Sequence, residues 1–212
     1  AALTEHMPAD VVEFTAKLAA PFANIDPRIR LPLVDLALPA LRSMTKQQYA
    51  DFSRAFSKLV EADEQIALLE WTLHRVLLRH LRPQFESAKP ARVAYYNLAR
   101  LGKEIGVLLS TLAYLDNQGD RVKLSHRRGA ELVPEAKVVL LPQAECSLAA
   151  LQAALEILAT VAPKQRQRVV AAAAELICYD RDVSIREAEL YRGICDMLDC
   201  PMPPLLSGQP VE

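Results

Sequence analysis

The stretch YDRDVSIREAELYRGICDML, Tyr179 to Leu198, reads as a short acidic turn followed by a capped helix. Ser184 stands three residues before Glu187. That is the capping-box spacing, in which the hydroxyl takes a helix N–H and the carboxylate reaches back to the cap's own N–H. The helix so started runs to Leu198, and Pro201-Met202-Pro203-Pro204 ends it. The same order of features occurs earlier: Glu61-Ala62-Asp63-Glu64-Gln65-Ile66, then a helix carrying Glu70. At an offset of 117 residues, Asp63 falls on Asp180 and Glu70 on Glu187. Apolar positions agree at the same offset: Leu38 with Leu155, Leu41 with Leu158, Met44 with Val161, Leu59 with Leu176, Leu73 with Leu190 and Leu77 with Ile194. Helix, turn, acid and helix matching in register without a gap point to an internal duplication. The expected fold is all-α, a helical bundle made of two related helix-turn-helix halves.

Working outward, the other segments are helical as well. Pro8 and Asp10 open an amphipathic stretch to about Ala20, with Val11, Phe14 and Leu18 on one face. Val34–Met44 contains Pro39, which implies a kink or a short helix. Thr45-x-x-Gln48 is a second capping box, and the helix after it carries Phe52, Phe56, Leu59 and Val60. A turn at Ala62–Gln65 leads to Ala67–Leu81, with Leu69, Leu73, Val76, Leu77 and Leu78 facing inward. A long helical pattern runs from Ala91 to about Leu115, where Gly102 and Gly106 are weak points or sites of close helix approach. Ser147 caps Leu148–Thr160, and Pro163 starts a helix to about Cys178. Asp116–Gly129 is polar and reads as a linker. The expected organisation is therefore an N-terminal helical half over 1–115, a linker or irregular segment over 116–146, and a C-terminal helical half over 147–212.

Composition agrees with a helical, globular chain: 51% apolar, 24% charged, only 6% aromatic and six Gly in 212 residues. A formal net charge of −1 gives no electrostatic case for nucleic acid. No stretch approaches about 18 uninterrupted apolar residues, so nothing in the sequence spans a membrane. Cys146, Cys178, Cys195 and Cys200 show no C-x-x-C spacing and read as small core hydrophobes in a reducing compartment.

Chemistry is sparse. Histidines 6, 74, 80 and 126 form no H-x-x-x-H pair and no H-E-x-x-H, so a zinc-protease centre is not encoded here; His74 and His80, six apart, read as surface or helix-end residues and not as ligands. No G-x-S-x-G, P-loop or G-x-G-x-x-G is present, so no catalytic residue is assigned. Carboxylates Asp63, Glu70, Asp180 and Glu187 could converge on a weakly bound divalent cation, because hard ions take several oxygens. The simpler reading is architectural: Glu187 closes its capping box, Asp180 makes an Asx turn, and acids near a helix start favour the dipole. An EF-hand is ruled out by Ile185 at the loop's glycine position and Tyr191 at its final glutamate. Arg75, Arg79 and Arg82, with His74 and His80, make a basic end to the second helix, suited to the helix dipole or to an acidic partner or anionic lipid. His126, in the segment 116–129, could add to that surface.

Both units resemble the helix–(A)-D-G-x-hydrophobic-x-x-x-E–helix signature of TerB-like domains, a bacterial all-α family associated with tellurite resistance and stress. Asp63, Glu70, Asp180 and Glu187 are the matching positions, and Glu64 and Arg181 stand where the signature has Gly. Over a longer span, Leu31–Leu81 resembles the C-terminal extension of HtpX-like bacterial membrane zinc metallopeptidases. ECSLAALQAALEIL (Glu145–Leu158) and YDRDVSIREAELYRGICDMLDCPMPPLL (Tyr179–Leu206) resemble the end of that extension. In that family the H-E-x-x-H domain and membrane helices precede this region. The resemblance implies a non-catalytic regulatory or interaction domain at the cytoplasmic face of the bacterial inner membrane, with zinc only in the parent's catalytic domain. Its partners would be that protease domain, a substrate or an adaptor, with no nucleic acid. The alternative implied is a TerB-like, divalent-cation-binding stress-response domain.

Overall fold

The computed structural model describes residues 7–23, 25–61, 68–86 and 92–202, and among these every regular element is helical. The nine α-helices are α1 Ala9–Ala23, α2 Arg30–Arg42, α3 Lys46–Glu61, α4 Leu68–Phe85, α5 Gly102–Leu115, α6 Asp120–Ala130, α7 Leu148–Leu158, α8 Pro163–Ile177 and α9 Ile185–Met197. Short 3-10 turns fill several of the joints, including Cys178–Asp180 between α8 and α9. The acidic turn expected over Ala62–Gln65 lies outside the described residues.

Local chemistry fixes several helix starts as the sequence implies. Thr45 Oγ1 accepts the Gln48 N–H at 3.2 Å while Gln48 Oε1 accepts the Thr45 N–H at 2.8 Å, which completes the box at α3. Ser147 Oγ accepts the Ala150 N–H at 3.2 Å, and Pro163 occupies the first turn of α8, where its missing N–H costs nothing. α2 runs through Pro39 and α4 continues through Pro83 to Phe85, four residues beyond the expected end.

The chain divides into two compact units, Ala1–Lys89 and Pro90–Glu212. In the first, α4 packs on α2 and α3, with Trp71, Val76, Leu77, Leu78 and Leu81 buried. In the second, α5 is the central helix: Ile105 through Ala113 are all buried, and α6, α7 and α8 pack around it while α9 packs on α8. The division therefore falls between residues 89 and 90 and not at 116.

Two expectations change here. The helix foreseen from Ala91 begins only at Gly102, because residues 94–95 pair with the α7–α8 joint instead. Ala94 N–H donates to Thr160 O, and Ala162 N–H to Tyr95 O, each at 2.8 Å. The segment 116–146, expected to be a linker, contains α6, which packs into the second unit through Val122, Ser125, His126 and Gly129. Those four lie at helical spacing on a narrow face of mostly small side chains, so the helices come close. A Cβ on Gly129 would sit 2.7 Å from the Ala172 carbonyl oxygen of α8. Gly106 also marks a close approach, though its neighbour is the backbone of the irregular stretch after α6, at Val139 O.

The 117-residue register extends to the helix starts: Lys46 of α3 and Pro163 of α8, Leu68 of α4 and Ile185 of α9. Ala55 and Ala172, and likewise Leu81 and Leu198, are buried at matching positions. Packing partners differ, since α2 lies on α4 whereas α7 lies chiefly on α5.

Candidate functional site

Both predicted acids of the second unit lie at the α8–α9 joint. After α8 the backbone makes a 3-10 turn, then Arg181 adopts a left-handed conformation with φ of 65°. Glycine would be the unstrained residue there, and an L side chain costs about 1–2 kcal/mol in that conformation. The tight turn thus forms with Arg181 itself at the left-handed position. Asp180 Oδ1 accepts the Asp182 N–H at 3.2 Å, the expected Asx turn, and Val183 is buried beneath it.

Ser184 and Glu187 then close their box. The Glu187 N–H donates to Ser184 Oγ at 3.1 Å, and the Ser184 N–H donates to Glu187 Oε2 at 2.9 Å. Ser184 Oγ uses its own proton on Asp116 Oδ2, at the C-terminal end of α5, and Arg186 Nη1 donates to Asp116 Oδ1 at 3.1 Å. Tyr179 Oη donates to Asn117 Oδ1 at 2.8 Å. The joint is therefore bolted to the end of α5 by three side-chain hydrogen bonds. Beside them lies a polar cleft of about 470 Å³, lined in part by Asp116, Asn117, Gln118, Gln143 and Arg186.

Glu187 is only 5% exposed. Burial pushes its carboxyl above the usual range, the Ser184 hydrogen bonds pull it back, and Asp116 and Asp180 push it up again. Its Oε2 serves the helix start. Among the described residues no group of three or more His, Cys, Asp or Glu side chains is placed to hold a metal ion.

The first unit is less complete. Glu70 is exposed on the first turn of α4, and Asp63 lies outside the described residues. Position 67 is Ala, where the second unit has Ser184, so that residue has no hydroxyl with which to cap. Arg75 and Arg79 are half-buried on α4, and Arg82, which is exposed, pairs with Glu86 at 3.8 Å. The end of α4 is tied to α3 through a contact not foreseen from the sequence. Tyr49 Oη donates to Glu86 Oε1 at 2.6 Å, and its ring stacks on Phe85 with centroids 4.5 Å apart. Burial, and then Glu86, push the Tyr49 hydroxyl up to about 12.

His74, expected at a surface or helix end, and His126, expected in the linker where it could add to a basic surface, are both interior. His74 is buried edge-on to the Phe56 ring, 5.1 Å between centroids, with Nε2 3.4 Å from Ser57 Oγ. His126 is buried in the face of α6, its Nε2 has no hydrogen-bond partner, and burial lowers its basicity. It therefore adds nothing to a basic surface. Only tertiary neighbours, which single-sequence spacing does not reveal, decide these two positions.

A different surface is conspicuous. The apolar row of α1, Val11, Phe14, Leu18 and Phe22, is 38%, 63%, 39% and 49% exposed. The chain matches no protein-family model, no curated protein and no solved structure. The fold itself defines the class: an all-α protein in which no described helix is long and apolar enough to cross a membrane.

Proposed function

We propose that this chain is a non-catalytic, protein-binding regulatory domain of a membrane-anchored bacterial zinc metallopeptidase, acting at the cytoplasmic face of the membrane. The observation that supports this reading is the exposed row on α1. Four large apolar side chains, spaced three or four apart on a 15-residue helix, are exposed. Apolar surface left in water forfeits about 25 cal/mol per Å², and contiguous patches of this kind mark interaction surfaces. The resemblance of Leu31–Leu81 and Tyr179–Leu206 to the extension of HtpX-like peptidases supplies the parent. In that reading the zinc and its H-E-x-x-H helix belong to the catalytic domain, and this chain binds that domain, a substrate or an adaptor. The two TerB-like units would be duplicated copies whose acidic turns serve helix capping.

The test is made in the full-length protease. Deleting this region, or replacing Phe14 and Phe22 together by Ser, is expected to impair substrate processing. The double substitution should change stability by no more than about 1 kcal/mol, about 0.5 kcal/mol for each exposed position. Unaltered processing after the deletion would rule the proposal out.

A further inference from the structure

α9 ends in a closure that brings two cysteines together. Asp199 takes the left-handed conformation with φ of 52°, the Asp199 N–H donates to Asp196 O at 3.2 Å, and the Cys200 N–H donates to Cys195 O at 2.9 Å. These are the paired bonds of a Schellman motif, whose first and sixth residues frequently pack side chain to side chain, and here each thiol lies within electrostatic reach of the other. Here those residues are Cys195 and Cys200. Backbone dimensions limit their separation. The path from Cα to its carbonyl oxygen is about 2.4 Å and from N to Cα about 1.5 Å. Added to the hydrogen bond, these place the two Cα atoms at most about 6.8 Å apart, within the roughly 4.4–6.8 Å that a disulfide spans.

The two thiols are not equivalent. Cys195 is 1% exposed, and burial pushes its thiol up to about 12, with the Tyr191 hydroxyl as a hydrogen-bonding neighbour. Cys200 is half-buried at the helix end; burial raises its thiol while Arg166 pulls it the other way. That guanidinium is fixed in place, since Arg166 Nη1 donates to Leu198 O at 2.7 Å and to Asp199 Oδ2 at 3.2 Å. Cys200 is thus the thiol an incoming reagent meets, and Cys195 is the shielded one behind it.

We propose that Cys195 and Cys200 are a reversible thiol–disulfide modification site, oxidised by a low-molecular-weight disulfide. The Cys200 thiolate attacks one sulfur of that reagent, forming a mixed disulfide and expelling one thiolate, which takes up a proton. Cys195 then loses its proton to solvent and displaces the second thiolate from Cys200, forming the Cys195–Cys200 bond. Two protein thiols lose two electrons, and the reagent is reduced to two thiols. The bridge fastens the left-handed turn at Asp199 and with it the Arg166 clasp between α8 and α9. With both thiols raised in pKa by burial, little thiolate is present at neutral pH and the exchange is slow, which suits a change of state over minutes to hours more than a fast peroxide response.

The experiment uses the whole chain incubated with oxidised glutathione, after which remaining thiols are alkylated under denaturing conditions. The tryptic peptide Gly193–Glu212 should lose the mass of two hydrogen atoms. Because Met197 lies between the cysteines, cyanogen bromide should leave the fragments Gly193–Met197 and Leu198–Met202 joined until a reductant is added. Oxidised protein should melt a few degrees higher and revert on reduction. Cys195→Ala should instead hold glutathione stably on Cys200, and Cys200→Ser should leave Cys195 unmodified. Should Cys195→Ala fail to fold, Cys200→Ser and the wild type still decide the matter. A glutathione adduct that persists on Cys200 in the wild type overturns the proposal. So does a bridge to Cys146 or Cys178, modification of Cys195 in Cys200→Ser, or no reaction at all.

Discussion

Taking the hydroxyl from Ser184 removes the acceptor of the Glu187 N–H and the donor to Asp116 in one step. Loss of an N-cap costs about 0.5–2 kcal/mol, and the stranded Asp116 contact places Ser184→Ala in the upper half of that range. Ser184→Thr keeps both bonds and should restore most of the stability; urea unfolding of the pair reads the difference. A pH effect arises at His126, whose pKa is lowered from the ordinary 6.5 by burial. The folded protein holds it neutral, so its contribution is complete above about pH 6.5 and is lost as pH falls through the lower folded value. Glu187 works in the opposite sense. Its raised pKa favours the fold below the ordinary value of 4.5, and that contribution is lost as pH rises through the folded value. His126→Leu removes only the first term. Compared with wild type, it should therefore lose less stability between pH 7.5 and 5.5, measured by denaturant midpoint. Equal losses would place the pH dependence on another group. The capping box at Ser184 was legible because it is a rule over four residues. The burial of His126 and His74 was not, because it depends on helices distant in sequence.

At the level of elements, α6 separates the part of the fold that composition reveals from the part it conceals. DNQGDRVKLSHRRG is polar and carries two glycines, which is the composition of a loop. The informative signal is narrower: Val122, Ser125, His126 and Gly129 at positions i, i+3, i+4 and i+7, small enough together to let α6 lie close on α8. Gly129→Ala tests that reading directly. In a solvent-exposed linker the change would be neutral or mildly stabilising through the unfolded chain. In the packed helix the new Cβ meets Ala172 O at 2.7 Å and Leu176 Cβ at 3.1 Å, and one of those is backbone. Separating α6 from α8 to admit it should cost about 1–3 kcal/mol, visible as a lower Tm with helical content retained. The same conclusion holds for α5, whose start at Gly102 was obscured by the helix-compatible composition of Ala91–Leu101 before it. Ala94 and Tyr95 in that stretch pair with Thr160 and Ala162 at the α7–α8 joint, a distant partner that no local pattern displays.

For the molecule as a whole, the question is which pieces carry their own core. An internal repeat read in register suggests halves that meet at the polar stretch after Leu115. Packing assigns α5 to the second unit instead, because its side chains are the surface on which α6, α7 and α8 assemble. Ile105, Leu108, Leu109 and Leu112 are fully buried. Each such side chain contributes about 1.5–3 kcal/mol, so the four together are comparable with the whole stability of a domain, about 5–15 kcal/mol. Two fragments separate the alternatives. Residues 90–212 contain every helix of the second unit and should fold alone, with a helical circular dichroism spectrum and one cooperative thermal transition. Residues 116–212 keep α6 through α9 but lack the helix at their centre, exposing Leu151, Leu155 and Leu158 of α7. That fragment should unfold without cooperativity or associate through the uncovered face. A cooperative transition in 116–212 equal to that of 90–212 would mean that α5 is an appendage and that the division belongs after Leu115. The repeat would then delimit the folding units as well as the register of the helices.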